Sequence, residues 1–169
     1  DDKFVIGFYS AASGGGAMYS EADMGGSGSV AGQTWYYVTN SNQAPVYAGG
    51  WTGMGYSTSL SRFVAVSRLG NVMYSGDGKD WTAATAPYSN SWQDVVYGND
   101  KWVAVSKDGT YRVMYDSNGT GTWSSAYAPD GSSGDLWVSV AYGDSKFVAV
   151  ATSGTGPRIM YSSNGTSWG

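Results

Sequence analysis

Residues 63–81 read FVAVSRLGNVMYSGDGKDW, and this stretch decides the fold because the chain repeats it. The same order returns in residues 102–123 and 147–168: an aromatic residue, Val-Ala-Val, a Met-Tyr step, a glycine-containing loop and a closing tryptophan. A looser copy spans residues 4–35, where an insertion lengthens the loop. All eight tryptophans of the chain fall at equivalent places in this register. The chain is therefore a repeat protein.

The repeats consist of short pieces with the composition of β-strands. The pieces are rich in Val, Tyr, Trp and Phe and are bounded by Gly, Asn, Asp, Ser or Pro. The Val-Ala-Val pieces are apolar throughout, as expected of inner strands that are covered on both faces. Four pieces make one unit of roughly 40–45 residues, the length of a four-stranded propeller blade. No stretch shows helical apolar spacing that begins at a capping residue.

The sequence therefore predicts an all-β fold, a β-propeller-like repeat of four-stranded antiparallel blades with about three and a half to four units. Residues 1–169 form a single repeat domain, with units at about 1–45, 46–87, 88–129 and 130–169. The chain begins at the second piece of a unit and stops where a fourth piece starts, so we expect the domain to be incomplete at both ends. Either the polypeptide continues, or a neighbouring subunit completes the blade at an open sheet edge.

The composition excludes several classes of partner. The formal net charge is −4 and the nine basic residues are scattered, so we expect no nucleic-acid partner. The chain has no cysteine, which excludes disulfides and thiolate metal sites. No apolar stretch is long enough for membrane insertion. Strands rich in Gly, Ser, Thr and aromatic residues, with few Lys and Glu, favour an extracellular, cell-surface or virion location.

The loops after the Met-Tyr steps carry a family resemblance. Residues 75–81 read SGDGKDW, residues 116–123 read DSNGTGTW and residues 162–168 read SSNGTSW. They resemble the Asp-box (BNR) repeat of sialidase-like β-propellers, a Ser-x-Asp-x-Gly-x-x-Trp turn between the third and fourth strands of a blade. The matching residues are Ser75, Asp77, Gly78, Trp81, Asn118, Gly119, Trp123, Ser162, Asn164, Gly165 and Trp168. In that family these loops lie on the rim and serve structure, so the resemblance implies a propeller fold and structural loops.

These loop residues have a physical role in the turn itself. The Asp or Asn side chain can accept hydrogen bonds from backbone N–H groups of its own loop, Gly supplies a positive φ, and Trp packs at the base of the hairpin. Calcium binding is the alternative for Asp77, Asn118 and Asn164, but single carboxylates lack the several oxygens that calcium requires. We therefore expect no metal and no cofactor. Asn118 and Asn164 also open Asn-Gly-Thr sequons, the acceptor pattern for N-glycosylation.

Catalysis has few candidate residues in this chain. Sialidase-like enzymes use three arginines, a Tyr–Glu pair and an aspartic acid, whereas this chain has one glutamate, Glu21, in the least regular loop. Two of its four arginines, Arg112 and Arg158, occupy the same place in successive units, as repeat positions do. There is no His or Cys to serve as base or nucleophile. We expect a non-catalytic chain, with a fragment of a sialidase-like glycoside hydrolase as the remote alternative.

Two binding functions remain open. The first is a structural or assembly module that holds other protein subunits, as a homo-oligomer or polymer. The second is a glycan-binding adhesin or receptor-binding propeller, because exposed tyrosine rings stack on sugars while short polar groups bond to them. The candidate ligand contacts outside the strand register are Tyr36, Tyr37, Tyr47, Tyr88 and Tyr127. Ordinary packing is the competing interpretation of these tyrosines.

Overall fold

A computed structural model describes the backbone of residues 4–8, 16–20 and 35–37 and describes residues 50–129 and 134–169 in full. Fourteen strands occur in these ranges. They are β1 (Phe4–Phe8), β2 (Gly16–Ser20), β3 (Trp35–Tyr37), β4 (Trp51–Ser57), β5 (Arg62–Ser67), β6 (Val72–Ser75), β7 (Thr82–Ala84), β8 (Trp92–Gly98), β9 (Lys101–Ser106), β10 (Val113–Asp116), β11 (Ser124–Ala126), β12 (Trp137–Gly143), β13 (Lys146–Ala151) and β14 (Ile159–Ser162). No helix long and apolar enough to span a membrane occurs in these parts of the chain.

The strands form four antiparallel sheets, and in each sheet the strand order follows the chain. We call the sheets units 1 to 4: β1–β3, β4–β7, β8–β11 and β12–β14. Units 2 and 3 have four strands, and the described residues supply three strands to each of units 1 and 4. Each sheet lies inside one of the intervals drawn from the sequence. The predicted all-β repeat of antiparallel, propeller-like blades is confirmed.

Tight turns between the first and second strands set the register of the sheets of units 3 and 4. Asn99 and Asp100 have φ angles of 45° and 54°, and Asp144 and Ser145 have φ angles of 47° and 57°. Two successive positive φ angles are typical of the type I′ hairpin turn, whose twist matches the twist of the paired strands. Asn and Asp tolerate this left-handed backbone better than other non-glycine residues. In units 3 and 4 the second strand therefore pairs with the first in a fixed register.

Units 2, 3 and 4 each have two different faces, and the same kind of contact joins unit 2 to unit 3 and unit 3 to unit 4. We call the face that carries the two valines of the second strand the trailing face; in unit 2 it holds Val64 and Val66, both fully buried. The opposite, leading face of unit 3 carries Trp102, Ala104 and Met114, which pack with those valines in one cluster. Because burial of one such side chain stabilises by about 1.5–3 kcal/mol, this contact is the main source of cohesion between the sheets.

The contact between units 3 and 4 repeats this arrangement. Val103 and Val105 of the trailing face of unit 3 are fully buried against Phe147, Ala149 and Met160 of the leading face of unit 4. The expectation that the Val-Ala-Val strand is covered on both faces is therefore confirmed for the second strands of units 2 and 3.

The same expectation is wrong for unit 4. Val148 and Val150 of β13 are 39% and 40% exposed, whereas Ala149 between them is fully buried. The physical reason is that no described residue packs over the trailing face of unit 4. Because successive side chains of a strand point to opposite faces, the valines on the trailing face are exposed while the alanine on the leading face is buried.

Candidate functional site

The loop of unit 2 closes on itself through its own polar side chains. Ser75 Oγ donates to Asp77 Oδ1 at 3.0 Å and accepts from Gly78 N at 2.8 Å. Asp77 Oδ1 also accepts from the backbone N–H groups of residues 79 and 80, each at 2.9 Å. Gly78 has a φ of 79°, and its carbonyl accepts from Trp81 Nε1 at 2.9 Å. The carboxylate of Asp77 is thus engaged within the turn.

The loop of unit 4 has the same hydrogen bonds with an amide in place of the carboxylate. Ser162 Oγ lies 3.1 Å from Asn164 Oδ1 and accepts from Gly165 N at 2.8 Å. Asn164 Oδ1 accepts from the N–H groups of residues 166 and 167, each at 2.9 Å. Trp168 Nε1 donates to the carbonyl of Gly165 at 3.3 Å. Asn and Asp are interchangeable here because the turn uses only an acceptor oxygen.

The loop of unit 3 differs from the other two. Asp116 stands at the strand position of Ser75, and its Oδ2 accepts from Asn118 N at 2.9 Å and from Gly119 N at 2.5 Å. Asn118 itself is exposed, and the buried Nε1 of Trp123 has no hydrogen-bond partner. Asp116 therefore accepts from the two N–H groups that correspond to those bound by Ser75 Oγ in unit 2, and the acceptor role predicted for Asn118 is not fulfilled.

Three tyrosines form an exposed aromatic cluster, which we call the tyrosine cluster. Tyr88 and Tyr111 are stacked with ring centroids 5.1 Å apart, and Tyr111 and Tyr127 lie 4.4 Å apart at an angle of 41°. The hydroxyl groups of Tyr127 and Tyr111 share a hydrogen bond of 2.9 Å. This hydrogen bond raises the pKa of Tyr111, with smaller contributions from the charge of Tyr127 and from desolvation. The rings cover one another, which leaves their edges and hydroxyl groups to solvent.

The structure separates the five tyrosines proposed as ligand contacts. Tyr88 and Tyr127 come together in the tyrosine cluster and are about half exposed. Tyr36 and Tyr37 lie in β3, where only the backbone is described, and Tyr47 lies outside the described residues. The sequence reasoning missed Tyr111, which joins the other two. It stands at the end of the variable turn between β9 and β10, and no repeat position marks it.

One arginine that sequence reasoning treated as a repeat position is part of the packing. Arg112 is 9% exposed, and its guanidinium donates to the carbonyls of Gly109 at 3.1 Å, of Lys107 at 3.0 Å and of Asp135 in the next unit. Its donors are therefore engaged by backbone rather than directed at a ligand carboxylate. Arg158, at the same position of unit 4, is exposed.

Within residues 50–129 and 134–169, the acidic side chains do not assemble into a metal centre. No group of three or more acidic, histidine or cysteine side chains is close enough there to hold a metal ion. A cavity of about 40 Å³ lies beside β4, lined by Trp51, Thr52, Gly53 and Met54. This volume is far below the roughly 300 Å³ at which small-molecule sites begin.

Among the residues whose side chains are described, the largest group of exposed large hydrophobic side chains lies on the trailing face of unit 4. It carries Val148, Val150, Ile159 and Tyr161, which are 39%, 40%, 63% and 58% exposed. These four residues pair directly across β13 and β14, so they form one continuous patch. Half of the exposed large hydrophobic side chains in the described part of the chain belong to it. Contiguous exposed apolar patches mark interaction sites more often than scattered residues do.

Comparison with known proteins supports the fold. The chain is similar to a structure described as a nidogen/laminin complex, with a TM-score of 0.65 and 7% identity, over 99% of this chain and 60% of that one. It is similar to YCF48 bound to D1 peptide, with a TM-score of 0.61 and 14% identity, over 92% of this chain and 46% of that one. YCF48 from Cyanidioschyzon merolae matches with a TM-score of 0.55 and 19% identity, over 71% of this chain and 36% of that one.

These neighbours are β-propeller proteins, and the likeness at such low identity establishes the fold alone. The chain spans about a third to three fifths of the length of the solved chains it matches. No protein-family model and no curated protein sequence matches it.

Proposed function

We propose that this chain is a non-catalytic assembly module, built of Asp-box-type propeller units on an extracellular or virion surface, that holds protein partners together. The observation that carries the proposal is the apolar trailing face of unit 4. Val148, Val150, Ile159 and Tyr161 leave an uncovered sheet face of the kind that packs against another protein layer. A catalytic or sugar-binding role would instead call for convergent polar groups in a cleft.

Two kinds of observation support the absence of catalysis. The acceptor oxygens of Asp77, Asp116 and Asn164 are used by the backbone of their own loops. The guanidinium of Arg112 is buried and directed at carbonyls. A glycosidase needs paired carboxyl groups facing a shared cleft, whereas these loop carboxylates and this guanidinium are engaged in packing.

The partner class in the proposal is protein. Two of the similar structures are described as a propeller-containing complex of nidogen with laminin and as YCF48 bound to a peptide. Those descriptions concern those proteins, and they support protein contact as a use of this fold. The apolar character of the exposed face supports the same class, because its side chains gain from exclusion of water and have little to offer a polar ligand.

Glycan binding at the tyrosine cluster is the second candidate function. Tyr88, Tyr111 and Tyr127 place three aromatic rings and their hydroxyl groups within one exposed area. Aromatic surfaces with adjacent hydroxyl groups are suited to carbohydrate contact. Against this, Tyr88 and Tyr111 stack on each other, which uses a ring face that a sugar would need.

A glycan array, read beside hydrolysis of fluorogenic glycosides, tests the proposed function. We expect no binding of sugars at millimolar concentration and no hydrolysis. Binding that disappears in Tyr111→Ala would replace the assembly function by glycan recognition. Hydrolysis that survives repurification would contradict the non-catalytic assignment. Tyr56→Ala is the control, since Tyr56 is an exposed tyrosine, as Tyr88 and Tyr127 are, and lies outside the tyrosine cluster.

A further inference from the structure

We propose that Tyr111 and Tyr127 are a site of oxidative modification, at which a one-electron oxidant joins the two rings in an intramolecular dityrosine cross-link. This inference is independent of the proposed assembly function, because it rests on the tyrosine cluster and not on the trailing face of unit 4. The chain has no cysteine, so a covalent link between two of its side chains cannot be a disulfide.

The contact between Tyr111 and Tyr127 holds the reacting groups together. Their ring centroids lie 4.4 Å apart, and their hydroxyl groups share a hydrogen bond of 2.9 Å. In dityrosine the new bond joins two carbons that each lie next to a hydroxyl-bearing carbon, so the hydroxyl groups of the product lie side by side. The hydrogen bond already places the two hydroxyl groups in this way. Coupling therefore needs a rotation of the rings and no long approach, which favours it over reactions between separate chains.

The pairing of hydroxyl groups distinguishes these two tyrosines from the others. In residues 50–129 and 134–169, only this pair is joined by a hydrogen bond between tyrosine hydroxyl groups. Tyr88 stacks on Tyr111 with centroids 5.1 Å apart and an angle of 10°, so these two rings meet face to face rather than at their edges. Other tyrosines contact Phe or Trp rings, in the pairs Tyr56–Phe63, Tyr97–Trp102 and Tyr142–Phe147.

The reaction removes two hydrogen atoms from the pair. Each phenol gives up one electron and its hydroxyl proton and becomes a phenoxyl radical. The two radicals combine through a carbon next to each oxygen, and the hydrogens on these carbons move to the oxygens, which restores both hydroxyl groups. The oxidant is hydrogen peroxide acting through a peroxidase, and it takes up the two electrons and two protons to become two molecules of water.

The pair is open to an oxidant, and it lies where a link would hold the outer strand of unit 3. Tyr127 is 52% exposed, and Tyr111 is partly exposed. The pairing of β10 with β11 reaches Val113 and Ala126, and the two tyrosines lie just beyond this last pair. Because β11 has three residues and stands at the edge of its sheet, a bond between the tyrosines would close the open end of this hairpin.

Peroxidase and hydrogen peroxide, applied to the purified chain in dilute solution, test the inference. Dityrosine is followed by its fluorescence, and the mass of the denatured chain reports the loss of two hydrogen atoms within a monomer. Trypsin releases Tyr111 in residues 108–112, where it is the only tyrosine, and Tyr127 in residues 113–146. A link between these peptides gives the sum of their masses less two hydrogen atoms, whereas failure to cleave after Arg112 gives the sum less one water.

Four variants identify the two reacting rings. Tyr111→Phe and Tyr127→Phe each remove one reacting hydroxyl group and keep the ring, so the packing of the cluster is preserved. Tyr88→Phe is the matched control inside the cluster, and Tyr56→Phe is an exposed control outside it. Thermal unfolding followed by tryptophan fluorescence verifies that each variant is folded.

We expect the link between residues 108–112 and 113–146 in the wild-type chain and in both controls. We expect at least roughly tenfold less of it in Tyr111→Phe and Tyr127→Phe, because coupling within a chain depends on two phenols held side by side. Its yield should be independent of protein concentration, and it should fall in urea that unfolds the chain.

Three outcomes would overturn the inference. The first is an oxidised wild-type chain without this link, and the second is a link that survives in Tyr127→Phe or that joins residues 108–112 to the peptide 80–101, which contains Tyr88. The third is an equal yield in the folded chain and in urea, because coupling would then be independent of the contact between the rings.

Discussion

Shortening the central valine of the trailing face should cost unequal amounts of stability in successive units. Val66, Val105 and Val150 are equivalent residues of β5, β9 and β13. The first two are fully buried, and the third is 40% exposed. Because all three lie at the same place in the same kind of strand, differences in β-propensity cancel, and replacement by alanine compares burial alone.

The magnitude follows from the groups removed. Val→Ala deletes the equivalent of two methylene groups, worth about 0.8 kcal/mol each when fully buried, and leaves a cavity where neighbours cannot close in. We expect Val66→Ala and Val105→Ala to lower the free energy of unfolding by about 2–3 kcal/mol. At Val150, 40% of the side chain is already in water and no cavity forms, so the expected loss is about 1 kcal/mol.

Urea unfolding monitored by tryptophan fluorescence measures these differences, and a thermal scan should show about 2–4 °C per kcal/mol. The protein must be dilute, so that self-association does not stabilise the trailing face of unit 4. Equal losses at Val105 and Val150 in dilute solution would refute the reasoning, because they would mean that the trailing face of unit 4 is covered within one chain.

Three further predictions concern the loops, the tryptophans and the tyrosine cluster. Asp77→Ala should destabilise by about 1–2 kcal/mol, since it removes the acceptor of two backbone N–H groups, whereas Asn118→Ala should stay within about 0.5 kcal/mol in the same urea assay. Trp92→Ala should cost about 3–5 kcal/mol, because this ring is fully buried; near-wild-type stability would contradict its place in the core. Ultraviolet titration should show that the pKa of Tyr111 lies above the usual value of a phenol, and Tyr127→Phe should lower that pKa. The pKa of Tyr111 is higher in the folded state than in the unfolded state. The hydrogen bond therefore contributes stability below the unfolded-state pKa, and this stability is lost as the pH rises through the folded-state pKa.

The loops show which hydrogen bonds the local sequence is enough to predict. Ser75 and Asp77 form hydrogen bonds within a few residues of themselves, so their sequence is enough to predict the turn. In unit 3, Asp116 stands in place of the serine and accepts from the two N–H groups that correspond to those bound by Ser75 in unit 2. Asn118 is exposed in this loop, which is one residue longer, and its residue type alone does not show this.

The tyrosine cluster lay beyond prediction for a different reason. Tyr88, Tyr111 and Tyr127 come from three separate connections of units 2 and 3, so no spacing along the chain marks them as neighbours. Arg112 and Arg158 likewise hold one repeat position, yet the first is buried and the second is exposed. Each of these differences depends on what lies beside the unit in space.

The sequence by itself determined the repeat, the strands and the tight turns, because these depend on residue alternation, on turn-forming residues and on contacts between near neighbours in the chain. Only the tertiary structure decided which of the equivalent valine faces are covered. Val105 and Val150 stand in nearly the same local sequence, so no local rule can tell them apart. Their burial differs because the sheet of unit 4 packs over the first, while no described residue packs over the second.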